Sequence, residues 1–259
     1  MISRIDGRNR SRAVAVLLSA AAIAACVGGT PSARATATRT CDPFGTVPIR
    51  HQRYVVQQNE WNSSLRQCIR VTDDGWMLTR ANFDLSTDGP PATYPSTFRG
   101  CHWGSCSRSR LPIRVADLEL ARSSWRPVLR RAGTYDVAYD LWTNTTSSVS
   151  GQPDGSEIMI WLRKRGPVRP AGTVTGRARI SGTSWTVWQT RMDGWNYIAY
   201  QRTDRARSVR DLNVRAFVRD SIERGSTERA WYLTSVEAGF EIWRGGRGLG
   251  TDSFSLRLR

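Results

Sequence analysis

Three stretches of this sequence set a carboxylate and an aromatic ring on the same side of an extended chain. In Glu157-Ile158-Met159-Ile160-Trp161-Leu162, the aliphatic Ile158, Ile160 and Leu162 alternate with Glu157, Met159 and Trp161. From Tyr135 to Trp142, the set Tyr135, Val137, Tyr139 and Leu141 alternates with Asp136, Ala138, Asp140 and Trp142. From Tyr232 to Trp243, Tyr232, Thr234, Val236, Ala238, Phe240 and Ile242 alternate with Leu233, Ser235, Glu237, Gly239, Glu241 and Trp243. Successive side chains of a strand point to opposite faces, so in each stretch one set packs in a core and the other faces outward. A single outward carboxylate is ordinarily just solvated. Here three strands each pair one with an indole, and Trp142, Trp161 and Trp243 would otherwise spend apolar surface in water. Pyranose rings stack on indole, and paired carboxyls can perform acid–base or nucleophilic chemistry on a glycosidic bond. The pattern predicts a saccharide-binding groove and does not by itself choose hydrolysis over binding.

The elements that must carry these residues read as strands throughout. Short segments rich in Val, Ile, Thr, Tyr and Trp, punctuated by Gly, Pro, Asn and Asp, are the signature of an all-β sandwich or barrel. Strands are predicted over 133–142, 157–162, 177–180, 185–189, 195–201 and 231–243. One helix is predicted over 209–224, where Leu212, Ala216, Phe217, Val218 and Ile222 recur at near-helical spacing and Gly225 supplies a stop. No linker, repeat or composition shift divides the chain after the leader, so 36–259 is read as one domain. At 39% hydrophobic and 23% charged residues the composition is that of a globular protein, which excludes a disordered or collagen-like chain.

The N-terminus reads as an export signal. Residues 1–12 carry four arginines and 13–25 form an apolar run, the two leading regions of a secretory signal peptide, too short to span a bilayer. Cleavage after Ala33-Arg34-Ala35 would leave a leader of 1–35 and a secreted, extracellular domain. Alternatively, Ile23-Ala24-Ala25-Cys26 resembles a bacterial lipobox, in which a lipidated Cys26 anchors the chain at the outer face of the membrane. Removing the leader turns five cysteines into four: Cys41, Cys68, Cys101 and Cys106. Four cysteines in an exported chain imply two disulfides with three pairings open. A local Cys101–Cys106 bridge could close the loop through His102, which leaves Cys41 with Cys68. A zinc site beside His102 is the alternative, but the chain has neither a C-x-x-C repeat nor a second close histidine. The formal net charge is +16, and Lys164 is the only lysine. Arginines scattered from Arg4 to Arg259 lack the clustering of a nucleic-acid interface, so no nucleic-acid partner is expected. Nothing in the sequence asks for a metal or an organic cofactor, and a monomer is expected.

From about residue 41 onward the chain resembles glycoside hydrolase family 12. The strings that carry the resemblance are Tyr54-Val55-Val56-Gln57-Gln58-Asn59-Glu60-Trp61, Tyr94-Pro95-Ser96-Thr97-Phe98-Arg99-Gly100-Cys101 and Tyr139-Asp140-Leu141-Trp142. To these add Glu157-Ile158-Met159-Ile160-Trp161, Gly166-Pro167-Val168-Arg169-Pro170-Ala171-Gly172 and the run from Trp231 to Glu241. The resemblance implies a β-jelly roll, a sandwich of two curved antiparallel sheets with one packed helix. It implies a retaining endo-β-1,4-glucanase in which Glu157 is the nucleophile and Glu241 the general acid/base. Asp140 matches an auxiliary aspartate that hydrogen-bonds the nucleophile, and a shared proton is expected on Asp140 because adjacent carboxylates repel. Asn59 and Trp61 match residues that hold glucosyl units on the non-reducing side. Met159 matches a methionine beside the nucleophile, and Trp142, Trp161 and Trp243 are taken with these as substrate-binding. Bacterial members carry disulfides at the positions of Cys41–Cys68 and Cys101–Cys106. Xyloglucan, mixed-linkage β-glucan and non-catalytic glucan binding are the alternatives to cellulose hydrolysis.

This chain departs from the family pattern in places. Ile242 follows Glu241 where Pro is common, Asp193-Gly194 stands where many members have Asn-Gly, and Arg163, Lys164 and Arg165 make the end of the nucleophile strand unusually basic. Glu237 occupies a position where bacterial relatives often have Gln. It is expected on the same outward face as Glu241, ~13 Å away along an extended strand, where it would raise the local negative potential.

Overall fold

The computed structural model describes residues 37–204 and 206–259. The leader expected over 1–35, Cys26 included, lies outside the described residues. Two sheets stack face to face, as the alternating sequence requires. The smaller runs in the order Thr38–Thr40, Cys68–Val71, Trp76–Arg80, Gly250–Leu258, Ala121–Val128 and Val209–Asn213. Seven strands of the larger sheet carry the outward carboxyls or border them: β1 (Tyr54–Gln57), β2 (Ser96–His102), β3 (Thr134–Asn144), β4 (Ser156–Arg165), β5 (Asn196–Arg202), β6 (Tyr232–Gly239) and β7 (Ile242–Gly246). At its centre the order is β5-β4-β3-β6-β2-β1, with β7 pairing the start of β3. All pairs are antiparallel except β4 with β5. The jelly roll is the expected fold, and this one parallel pair is its exception.

The core lies between the sheets and takes the predicted aliphatic faces. Tyr135, Val137, Tyr139 and Leu141 of β3 meet Ile158, Ile160 and Leu162 of β4 there, with Val236 and Ala238 of β6. Trp125 and Phe254 of the smaller sheet close on them, each beside Tyr139. The expected bridges Cys41–Cys68 and Cys101–Cys106 are both formed.

Two sequence expectations need correction. The helix α1 spans Val214–Glu223 only, and Val209–Asn213 pairs instead with Ala121–Val128. Asp211 adopts a left-handed backbone (φ 51°), so Val209 and Leu212, three residues apart, both enter the core. A strand broken in this way imitates helical spacing. Within α1 the buried Val214, Phe217, Val218 and Ser221 keep the true helical period, and Gly225 (φ +72°) follows the C-cap as expected. The second correction concerns 231–243, which is two strands with Phe240 and Glu241 between them. A bulge adds to this, because Trp142 pairs with Ser235 but Thr143 pairs with Leu233. The skipped Thr234 inverts the alternation, and Leu233 packs in the core rather than outward.

Candidate active site

The face of the larger sheet turned away from the core is organised in rows set by strand register. One row runs Tyr197, Glu157, Trp142, Ser235 across β5, β4, β3 and β6. The next runs Ala199, Met159, Asp140, Glu237 and then Phe98 of β2. Further along β3, Asp136 meets the break between β6 and β7. Its Oδ1 accepts the Glu241 N–H at 2.9 Å, and its own N–H donates to the Glu241 carbonyl at 3.0 Å. Two reciprocal bonds thus fix the residue at which the strand stops. Register therefore gathers Glu157, Asp140 and Asp136, while the break brings in Glu241. Glu157 and Glu241 remain partly exposed, whereas Asp140 and Asp136 are buried.

The carboxyls are held by unlike neighbours. Glu157 Oε2 accepts the indole N–H of Trp195 at 2.9 Å. Asp140 Oδ2 accepts the Trp142 N–H at 2.8 Å, and its Oδ1 has no partner. No hydrogen bond joins Asp140 to Glu157, contrary to the contact the resemblance implies. The two interact through charge. Burial pushes Glu157 up to about 8, with the charges of Glu241 and Glu237 adding to it and the Trp195 N–H opposing. Burial also pushes Asp136 up to about 7. Asp140 and Glu241 stand well above the ordinary carboxylate range, again through burial first. Neighbouring charge adds to both, from Glu157 on Asp140 and from the contacting Asp136 carboxyl on Glu241. Carboxyls crowded in this way cannot all ionise together, so the group retains protons near neutral pH.

The tryptophans occupy other places than the alternation suggests. Trp161 is 1% exposed and Trp243 4%, and both belong to a second apolar cluster with Tyr94, Ala138, Met159, Val168, Tyr197 and Ala199. The loop that carries Val168 covers this part of the face, so Trp161 leaves no indole surface for a sugar ring. It supports the site from below. The Met159 sulfur accepts the Tyr197 hydroxyl at 3.3 Å and the Trp161 N–H at 3.4 Å, which pins the thioether beside Asp140. Trp243 donates to the Gly89 carbonyl at 2.8 Å. Trp142 is buried too, at 6%, between Trp103 and Trp195, with ring centroids 5.1 and 5.7 Å away. The most exposed indoles are Trp103, 40% exposed, and Trp61, 48% exposed, while Trp188, Trp195 and Trp231 are half-buried. Asn59 beside Trp61 has a left-handed backbone (φ 43°), and its carbonyl accepts the Tyr94 N–H and the Thr93 hydroxyl. Lys164, opposite Asp136 in register, turns away to donate to the Val168 carbonyl. Burial, then Arg169, lowers its pKa.

Glu237 is not an outward charge. It is fully buried, and the strand break invalidates the extended spacing to Glu241. Sequence reasoning also passed over Asp136, Trp103, Trp195 and Tyr197. Asp136 shared the outward set with Asp140, so its position was readable, but its pairing with Glu241 depends on the break. Trp103 was visible only as part of a cysteine-bounded loop. No local signal ties Trp195 to Glu157, 38 residues away.

The chain matches the model of glycosyl hydrolase family 12 over residues 52–259. It is 33% identical over 150 residues to the probable cellulase Cel12b of Mycobacterium tuberculosis, covering 58% of this chain and 98% of that protein. A metagenome-derived family 12 endoglucanase superposes with a TM-score of 0.84 at 37% identity, over 87% of this chain and 99% of that one. The family 12 xyloglucanase of Bacillus licheniformis superposes with a TM-score of 0.76 at 27% identity, over 86% and 100%.

Proposed function

The chain belongs to glycosyl hydrolase family 12 and is a glycoside hydrolase, and from that premise we propose that it is an exported, retaining endo-β-1,4-glucanase acting on cellulose-type chains. Glu157 attacks the anomeric carbon, and Glu241 protonates the departing oxygen. A covalent glycosyl-enzyme forms, and Glu241 then takes a proton from the water that releases the sugar. The observation that carries these roles is the asymmetry of their surroundings. Trp195 offers Glu157 an N–H bond that favours the ionised form a nucleophile needs. Glu241 instead lies against the Asp136 carboxyl, which favours keeping its proton. Burial raises both carboxyls, but the Trp195 bond opposes the rise at Glu157 while Asp136 adds to it at Glu241, the difference an acid and a nucleophile require.

Asp140, next to both in charge, is the auxiliary group. Asn59 and Trp61 are proposed to hold glucosyl units on one side of the scissile bond. Trp142, Met159 and Trp243 shape the floor, and Trp161 braces it. Preference for cellulose over xyloglucan or mixed-linkage glucan follows the relatives of higher identity. Export through the 1–35 leader, or anchorage at Cys26, accords with the two disulfides, and among the described residues no helix is long and apolar enough to cross a membrane.

The test is a panel of carboxymethylcellulose, xyloglucan, lichenan and xylan with wild type, Glu157→Gln and Glu241→Gln. Cleavage of β-1,4-glucan by the wild type is expected, with at least roughly a thousandfold loss in each variant. Full activity in either variant would sink the assignment, and binding without cleavage by the wild type would make the protein a glucan-binding jelly roll.

A further inference from the structure

Glu237 is 0% exposed, and both of its carboxylate oxygens are saturated. Oε2 accepts the Gln57 amide at 2.8 Å and the Ser96 hydroxyl at 3.0 Å. Oε1 accepts the Ser235 hydroxyl at 3.0 Å and lies 2.8 Å from His102 Nδ1. The amide and two hydroxyls all donate to the carboxyl, and His102 presents Nδ1 to it as the fourth partner. Such a set of donors favours the charged form and fixes it in place. β1, β2 and β6 each supply a part, so the arrangement is built by the sheet rather than by one loop.

None of the four hydrogen bonds of Glu237 goes to a group assigned to the reaction. It is, however, the direct cross-strand partner of Asp140, whose Oδ1 is buried without a hydrogen bond. Around this pair stand Glu157 of β4, Glu241 beyond β6, Asp136 of β3, and the Tyr94 hydroxyl, which donates to the Ala138 carbonyl at 3.0 Å. His102 is the one imidazole in contact, and Lys164 points elsewhere.

We propose that Glu237 is a positioning residue, a fixed buried anion that keeps the proton of the Asp140–Glu157 pair on Asp140. The inference rests on the function proposed above. An anion beside Asp140 opposes its ionisation, and Oδ1, buried with no donor aimed at it, offers nothing to stabilise a charge there. The same anion acts on Glu157 as well, but there the Trp195 N–H opposes it, so the nucleophile is the group left charged. Gln at this position would supply hydrogen bonds without charge, so the Glu237 charge sets the pH at which the pair ionises. Glu241 stands outside this influence, because burial and Asp136 dominate its environment.

The experiment compares wild type with Glu237→Gln by carbon-13 titration of the Asp and Glu carboxyls, alongside the pH dependence of kcat/KM on carboxymethylcellulose. In the variant the Asp140 midpoint and the acid limb are both expected to fall by roughly one to two pH units, the size of one buried charge at this spacing. The Glu241 midpoint should stay in place. A purely structural role would lower kcat and move neither midpoint. The double variant Gln57→Glu/Glu237→Gln keeps one anion and one amide in the same contact, and serves if the single variant does not fold. It moves the charge further from Asp140, and the midpoint should fall by less. An Asp140 midpoint equal to wild type in the folded variants overturns the inference, whether or not any glucan is cleaved. A wild type that cleaves no glucan, with the midpoint shift present, overturns the proposed function and leaves Glu237 its role.

Discussion

Asp136 and Glu241 are bound twice through the backbone of one and the carboxyl or carbonyl of the other, so a change at residue 136 is felt at 241 with little rearrangement. Asp136→Asn keeps an oxygen for the Glu241 N–H, removes the neighbouring charge, and puts an amide against the Glu241 carboxyl. Each change favours the ionised form, so Glu241 should lose its proton at lower pH. The alkaline limb of kcat/KM, which tracks the protonated acid, is expected to move down by roughly one to two pH units. The acid limb should hold. Glu237→Gln is expected to do the reverse, and the two variants together would assign the limbs to separate carboxyls. A D136N profile that coincides with wild type would show that the Asp136 charge does not set Glu241.

At the scale of elements, alternation gave the faces of β3 and β4 correctly because both are long, paired on both sides and buried on their aliphatic face. Over 231–243 it held for Val236, Ala238, Phe240 and Ile242 and went wrong only before Thr234, because that skip, like the stop after Gly239 that divides the strand, is decided by neighbouring strands. The Thr234 hydroxyl donates to the Trp142 carbonyl, a contact 92 residues apart in sequence. The same reason hid the burial of Glu237, since all its hydrogen-bond partners but Ser235 come from β1 and β2. Whole-chain resemblance singled out Glu157, Glu241 and Asp140, which the fold brings near one another, while their contacts with Trp195 and Asp136 were not legible, being set by register. Gly100 tests the bulge directly. It has φ +115°, and a Cβ there would lie 2.1 Å from the Thr234 carbonyl oxygen. Gly100→Ala must therefore push β2 away from the bulge and is expected to cost about 2–3 kcal/mol. In a domain of this size that lowers Tm by roughly 4–12 °C, readable in a melt followed by circular dichroism. An unchanged Tm would mean that β6 yields freely at Thr234.

Over the whole molecule, charge is sorted by depth. Arginines dominate the exterior and pair there with exposed carboxylates, as in Arg122–Asp211–Arg257 and Arg126–Asp252. Asp136, Asp140, Glu157 and Glu241 gather instead on the active face. Their folded pKa values are raised, Asp136 to about 7 and Glu157 to about 8, so their contribution to stability is fully present below about pH 4 and is lost as pH rises through 7 to 8. The exposed Asp204 and Asp211 have lowered pKa values and act in the opposite sense, but only under acid conditions below the usual carboxylate range. Between pH 5 and 8 the buried group therefore dominates, and Tm should be higher at pH 5 than at pH 8. Calorimetry at the two values checks this, and a higher Tm at pH 8 would contradict the buried-proton account. The exterior has a practical side as well. With arginine supplying nearly every cation, Lys164 offers the only side-chain amine in the sequence, on the strand that carries Glu157 and opposite Asp136. A support or dye that couples to the lysine side chain in preference to the terminal amine would thus hold every copy at one point, at the margin of its own working surface.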